Sequence, residues 1–176
     1  MNIAKKVIGE YVLDRQNFDL RYFSKVYDNY ESIFDMLSVQ CLASHENTII
    51  DIGCSSGFQG LSALEHHLNY IGIDKDAEGL LDVNEDLAAK VIADARHIKI
   101  YDYDNEVLKD FQLNFELVAK DIRQLDIKDF MRERNLDFDN TIVIAAYVPC
   151  FKNHRADYAP SLKQQICEAV DRVIFL

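Results

Sequence analysis

One short segment constrains the fold more than any other. The β-branched run Thr48-Ile49-Ile50-Asp51-Ile52 leads directly into a turn with two glycines, Gly53-Cys54-Ser55-Ser56-Gly57. The turn leads into Phe58-Gln59-Gly60-Leu61-Ser62-Ala63-Leu64-Glu65, which has a helical pattern. A strand that stops on glycines and resumes as a helix needs a second strand to return to. Tyr70-Ile71-Gly72-Ile73-Asp74 supplies it. β-Branched runs of this length, bounded by turn residues, read as buried strands.

The alternation continues to the end of the chain. Phe115-Glu116-Leu117-Val118-Ala119-Lys120 is a third strand, and Ile127 to Arg134 a helix. Thr141-Ile142-Val143-Ile144-Ala145-Ala146 is a fourth strand and the most apolar. Ser161 to Ala169, after Pro160, is a helix, and Arg172-Val173-Ile174-Phe175-Leu176 a fifth strand. Residues 84–100 look helical, although Ile98-Lys99-Ile100-Tyr101 has the alternation of a strand. Strands alternating with helices imply an α/β fold: a Rossmann-like parallel sheet of about five strands, helices on both faces and right-handed crossovers. Before it, residues 2–40 read as helix. Phe23, Val26, Tyr27, Tyr30, Ile33, Phe34 and Leu37 recur at three- and four-residue steps and share one face. That stripe is either core or the cover of a small-molecule pocket.

Composition narrows the class of partner. Of 176 residues, 19 are Lys or Arg and 30 are Asp or Glu, a formal charge of −11. Such a body repels phosphate backbones, so extended nucleic acid is disfavoured. With 49% apolar residues the chain is no disordered tail, and no apolar run approaches the roughly 18 residues of a membrane helix. The N-terminus has no long apolar stretch of the signal-peptide kind. The four cysteines, Cys41, Cys54, Cys150 and Cys167, are scattered without zinc spacing, which predicts no metal site. Free thiols suit a reducing, cytoplasmic setting.

Open parallel sheets bind ligands beyond the carboxyl ends of their strands. There the first strand presents Asp51 and the glycine turn, and the second ends in Asp74, 21 residues after Gly53. A carboxylate at that place can accept both hydroxyls of a ribose, as in dinucleotide sites. A dinucleotide, however, needs G-x-G-x-x-G to seat its diphosphate, and this turn has Ser55 where the second glycine is expected. Asp51 beside the turn repels a diphosphate and favours a ligand bearing an ammonium group. The plainer alternatives are a tight turn that binds nothing, Asp51 as a cap of the helix near Phe58, and Asp74 as a solvated strand end.

With these residues in place, the sequence resembles the class I S-adenosylmethionine-dependent methyltransferases. The resemblance rests on Ile49 to Gly57, on Tyr70 to Asp74 and on Ala119-Lys120-Asp121-Ile122, and covers about residues 47–150. It implies S-adenosylmethionine as cofactor. The methionine moiety would be held by Asp51, Gly53, Cys54 and Gly57, with Ser55 standing for the middle glycine of the family's first motif. Asp74 would bind the ribose, Lys75 would lie beside the adenine, and Asp121 with Ile122 would cradle it. The whole of 1–176 then reads as one methyltransferase-like domain, with 1–45 a helical cover and 46–176 the cofactor-binding sheet.

The acceptor would lie beyond the fourth strand, at Ala145-Ala146-Tyr147-Val148-Pro149-Cys150. The Asn/Asp-Pro-Pro-Tyr of amino-methylating nucleic-acid enzymes is absent there. Pro149-Cys150 is similar to the pair in cytosine-C5 methylases, but buried inert thiols are the commoner state of cysteine. Methyl transfer needs in-line positioning and a deprotonated acceptor, and a general base helps when that acceptor is a hydroxyl or ammonium. Tyr147, His154 and Asp157 are the candidates. The implied activity is methylation of a small molecule or protein side chain; the alternative is a non-catalytic binder of the cofactor, acting as a sensor or partner subunit. Two departures bear on this choice. Forty residues separate Asp74 from Phe115, many of them acidic, either a solvated excursion or a cover that recruits a cation. The chain also ends at the fifth strand, where the family usually adds two more. The resemblance therefore implies an exposed sheet edge, covered by a partner in a homo- or hetero-oligomer, or a minimal member of the family.

Overall fold

The computed structural model describes residues 20–55, 57–75, 77, 85–101, 107–145 and 159–175. A helix, α1 (Leu20–Val39), precedes β1 (Thr48–Ile52), α2 (Gln59–Glu65) and β2 (Asn69–Asp74). Then come α3 (Glu85–Ala95), β3 (His97–Tyr101), β4 (Val107–Gln112) and β5 (Phe115–Ala119). A 3₁₀ turn at Ile122–Gln124, α4 (Ile127–Glu133), β6 (Thr141–Ala145), α5 (Ala159–Ala169) and β7 (Arg172–Phe175) complete the order.

Five strands form one parallel sheet in the order β5-β2-β1-β6-β7. The most apolar runs take the middle. Every residue of β6 is buried, as are Ile49 to Ile52 of β1, whereas β5 and β7 at the edges are half-buried. Alternation along β1 divides the core in two. Ile50 and Ile52 face α4 and α5, packing with Ile127, Phe130, Met131, Leu162 and Ile166. Ile49 faces the other way, toward Tyr30, Phe34 and Leu37 of α1 and Ala63 of α2. The described part of the aromatic stripe on α1 is thus core, and one of its side chains, Tyr30, also makes a polar contact taken up below.

Strand order steps outward from β1 to β2 to β5, then returns to β6 and β7 on the other side. The reversal falls between β1 and β6, so the crevice of the sheet opens beyond their carboxyl ends. Gly60 lets α2 press close to the sheet. A Cβ there would lie 2.5 Å from the Tyr70 ring and 2.7 Å from that of Phe115.

The stretch between β2 and β5 corrects one expectation. The helix ends at Ala95, and 97–101 is a strand that pairs antiparallel with β4 as a separate two-stranded sheet. The alternation of His97-Ile98-Lys99-Ile100-Tyr101 suits either neighbour, and a cross-strand partner decided it. Lys99 lies opposite Asp110, and His97 Nδ1 is 3.4 Å from an Asp110 carboxylate oxygen. Opposite charges across a pair stabilise such a ribbon. No helix among the described residues is long and apolar enough to cross a membrane.

Candidate functional site

The turn after β1 is held in a conformation that most residues avoid. Gly53, Ser55 and Gly57 have φ of 80°, 52° and 79°. This left-handed backbone is natural for glycine and costs an L-residue roughly 1–2 kcal/mol. Ser55 pays that cost where the family pattern has glycine. Gly57 is constrained by space as well, because a Cβ would meet Leu117 Cδ2 at 2.5 Å. Three bonds tie the turn to β2. The amides of Gly53 and Cys54 donate to the Ile73 carbonyl at 2.8 and 3.4 Å, and the Ser55 amide donates to Asp74 Oδ2 at 3.1 Å. The acid that ends the second strand is thereby coupled to the backbone of the turn.

Asp51 lies beneath the turn with no exposed surface. Period two puts it on the α1/α2 side with Ile49. Its register partner on β2 is Gly72, whose missing side chain leaves room for Cys54 and Tyr70. Three donors converge on the carboxylate. Tyr30 Oη of α1 donates to Oδ1 at 2.7 Å, while Tyr70 Oη of β2 and Gln59 Nε2 of α2 donate to Oδ2 at 2.7 and 2.9 Å. Gln59 also donates to the Cys54 carbonyl at 2.7 Å, which fastens the turn to the same cluster. All three donors are neutral. Burial raises the Asp51 pKa from the ordinary 3.8 to about 6, and the bonds from Tyr30, Tyr70 and Gln59 offset only part of that rise. Burial and the neighbouring Asp51 charge also push the Tyr30 and Tyr70 hydroxyls and the Cys54 thiol well up, so all three stay protonated near neutral pH.

Alongside, Asp74, Lys75, Asp121, Ile122 and Arg123 line a pocket of about 380 Å³. β2 and β5 are neighbours, so their ends place Asp74 and Asp121 in one cavity. Lys120 N donates to the Asp74 carbonyl at 3.0 Å and carries the pairing past the end of β5. Asp121 caps the 3₁₀ turn by accepting from the Arg123 amide at 2.9 Å, and it also binds the Arg123 guanidinium. The Arg123 side chain and amide hold the Asp121 carboxyl down at about 2.

Four residues singled out in the sequence, Asp74, Lys75, Asp121 and Ile122, therefore share one pocket, and Gly53, Cys54, Ser55 and Gly57 form the turn bound to it. Asp51 caps no helix. Phe58 occupies the N-cap of α2, with no side-chain bond there. Tyr147 and His154, like Cys150 and Asp157, lie outside the described residues. Sequence reasoning missed Tyr30, Gln59, Tyr70 and Arg123. Tyr70 shares a face with Asp74 by alternation, and Arg123 stands two residues after an Asp, where side-chain-to-backbone turns form. Tyr30 carried no such signal beyond its place in the stripe.

The fold is similar to that of magnesium protoporphyrin IX methyltransferase (ChlM) from Synechocystis PCC 6803. Against its structure with bound SAM the TM-score is 0.51 at 17% identity, covering 85% of this chain and 57% of that one. Against its structure with bound SAH the score is 0.54 at 14% identity, covering 98% and 67%. The chain thus spans between about half and two thirds of that enzyme's length. No known protein-family pattern matches the sequence. No curated protein matches it either.

Proposed function

We propose that this chain, which has the class I S-adenosylmethionine-dependent methyltransferase fold, binds S-adenosylmethionine at the β1–β2–β5 edge and transfers its methyl group to a small molecule or protein side chain. One observation carries the reading. Acids from the ends of two adjacent strands line one pocket beside Ile122, and the left-handed turn of residues 53–57 is bonded to the first of them.

The chemistry of these residues fits that cofactor. Asp74 can accept from ribose hydroxyls, and Ile122 offers an apolar wall to a purine. Asp121, Lys75 and Arg123 complete the polar lining. Asp51 supplies a buried negative charge whose protein partners are all neutral, and an ammonium group near the turn would compensate it. A diphosphate at the turn would lie over the buried Asp51 and beside Asp74, and like charges repel. When bound, the sulfonium supplies an activated methyl group. The residues of the chain position it, keep water away and orient the acceptor. Tyr147 and His154 are proposed to take the acceptor's proton, and a partner subunit to cover one of the edge strands, β5 or β7. Free thiols and the absence of a long apolar run support a cytoplasmic setting.

Thermal shift with S-adenosylhomocysteine tests the cofactor. A hundredfold excess over the dissociation constant stabilises a fold by about 2.7 kcal/mol. Asp74→Ala should remove most of that shift and leave the unliganded Tm nearly unchanged, since the Ser55 amide it releases is exposed and can bond to water instead. A wild-type Tm that does not respond to the ligand overturns the proposal. Transfer of radiolabelled methyl from S-adenosylmethionine to small-molecule or protein fractions of a lysate tests the activity. Binding without transfer to any fraction would instead identify a sensor or partner subunit.

A further inference from the structure

The cluster on Asp51 draws its donors from α1, α2 and β2, and of these α1 lies outside the continuous β1–α2–β2 unit. Tyr30 is 1% exposed, and its hydroxyl donates to Asp51 Oδ1 at 2.7 Å. Its ring packs 6.0 Å from that of Phe34, so the hydroxyl is aimed by packing along α1. A carboxylate has about four acceptor positions, and donors among the described residues take three of them, two on Oδ2 and one on Oδ1.

We propose that Tyr30 is a positioning residue for the cofactor: from α1 it holds Asp51 oriented and ionised beneath the turn, so that docking of α1 sets how strongly the turn attracts the cofactor's ammonium group. This rests on the reading of the site as an S-adenosylmethionine site. A buried carboxylate attracts a cation only while it is deprotonated, and a hydrogen bond to the charged form favours that form. Among the described residues, the titratable groups facing Asp51 are few. Tyr30 comes from α1, Tyr70 from β2, Cys54 from the turn, and Asp74 acts from the strand end. On the β6 side the register partner is the apolar Ile144. Burial keeps the two hydroxyls and the thiol protonated throughout the acid-to-neutral range, so among the described residues of this cluster Asp51 is the group that changes charge there.

The test is the affinity for S-adenosylhomocysteine by calorimetric titration from pH 5 to 8, for wild type, Tyr30→Phe and Asp51→Asn. Binding by the wild type should weaken as pH falls through about 6. In Tyr30→Phe the midpoint should move up by about one pH unit, so that affinity at pH 6.5 drops several-fold and recovers to within about twofold at pH 8. Asp51→Asn should bind weakly with a flat profile. In the free protein, the ¹³C carboxyl signal of Asp51 should show the same upward move in Tyr30→Phe. Uniformly weaker binding with an unmoved midpoint would make Tyr30 merely structural and sink this inference alone. Failure of the wild type to bind at any pH sinks the cofactor reading and this inference together. Should Tyr30→Phe not fold, Asp51→Asn still decides, because a profile like the wild type's overturns the assignment.

Discussion

Asp51→Asn should stabilise the fold at neutral pH, although it removes an acid from the proposed site. The acid titrates near 6 in the folded protein and near 3.8 when unfolded. Between those values the folded state holds more protons than the unfolded one, so stability falls as pH rises. The contribution is fully present below the unfolded value and lost once pH passes the folded one. About two pH units at 1.36 kcal/mol each amount to about 3 kcal/mol. Asparagine is nearly isosteric and does not titrate. Its amide can donate to one tyrosine hydroxyl and accept from the other, since hydroxyl hydrogens rotate. Calorimetric melting of both proteins from pH 4.5 to 8 gives the readout. The Tm of the variant relative to wild type should rise with pH and level off above about 7. For a chain of this size 3 kcal/mol corresponds to about 6–12 °C, less whatever the altered bonds cost. The slope of the difference is the decisive quantity, because imperfect asparagine geometry shifts both ends equally. A difference that stays constant with pH, or that turns against the variant as pH rises, would refute the reasoning. The expected result is a trade of stability for function, common where a site keeps a charge that folding alone disfavours.

Two further substitutions probe the frame around the site. Ser55→Gly relieves a left-handed residue at φ 52° and should raise the urea midpoint by the equivalent of up to about 1 kcal/mol, with the denaturant slope unchanged. Gly60→Ala drives a methyl group to 2.5 Å from the Tyr70 ring and should lower the same midpoint by about 1–3 kcal/mol. Because Tyr70 also holds Asp51, this variant should weaken S-adenosylhomocysteine binding too, and intact binding would show that the ring adjusts without moving its hydroxyl.

Much of the architecture was legible in the residues alone. All five parallel strands lie where the β-branched runs predict them, because alternation and apolar length report burial on a sheet directly. Asp74 and Asp121 could be placed near one another from chain order, since parallel strands deliver their carboxyl ends to one edge. The β3–β4 ribbon was not legible. Its strands carry ambiguous local patterns, and their antiparallel pairing with each other decides their state. The surroundings of Asp51 were equally hidden. The sequence by itself determined that an acid stands beneath the first turn of a parallel α/β sheet. Only the tertiary structure decided that the acid is fully buried and held by Tyr30, Gln59 and Tyr70, from three different elements. Periodicity encodes which face a side chain takes, but the partner it meets there depends on how helix and sheet pack across tens of residues, and no local pattern records that.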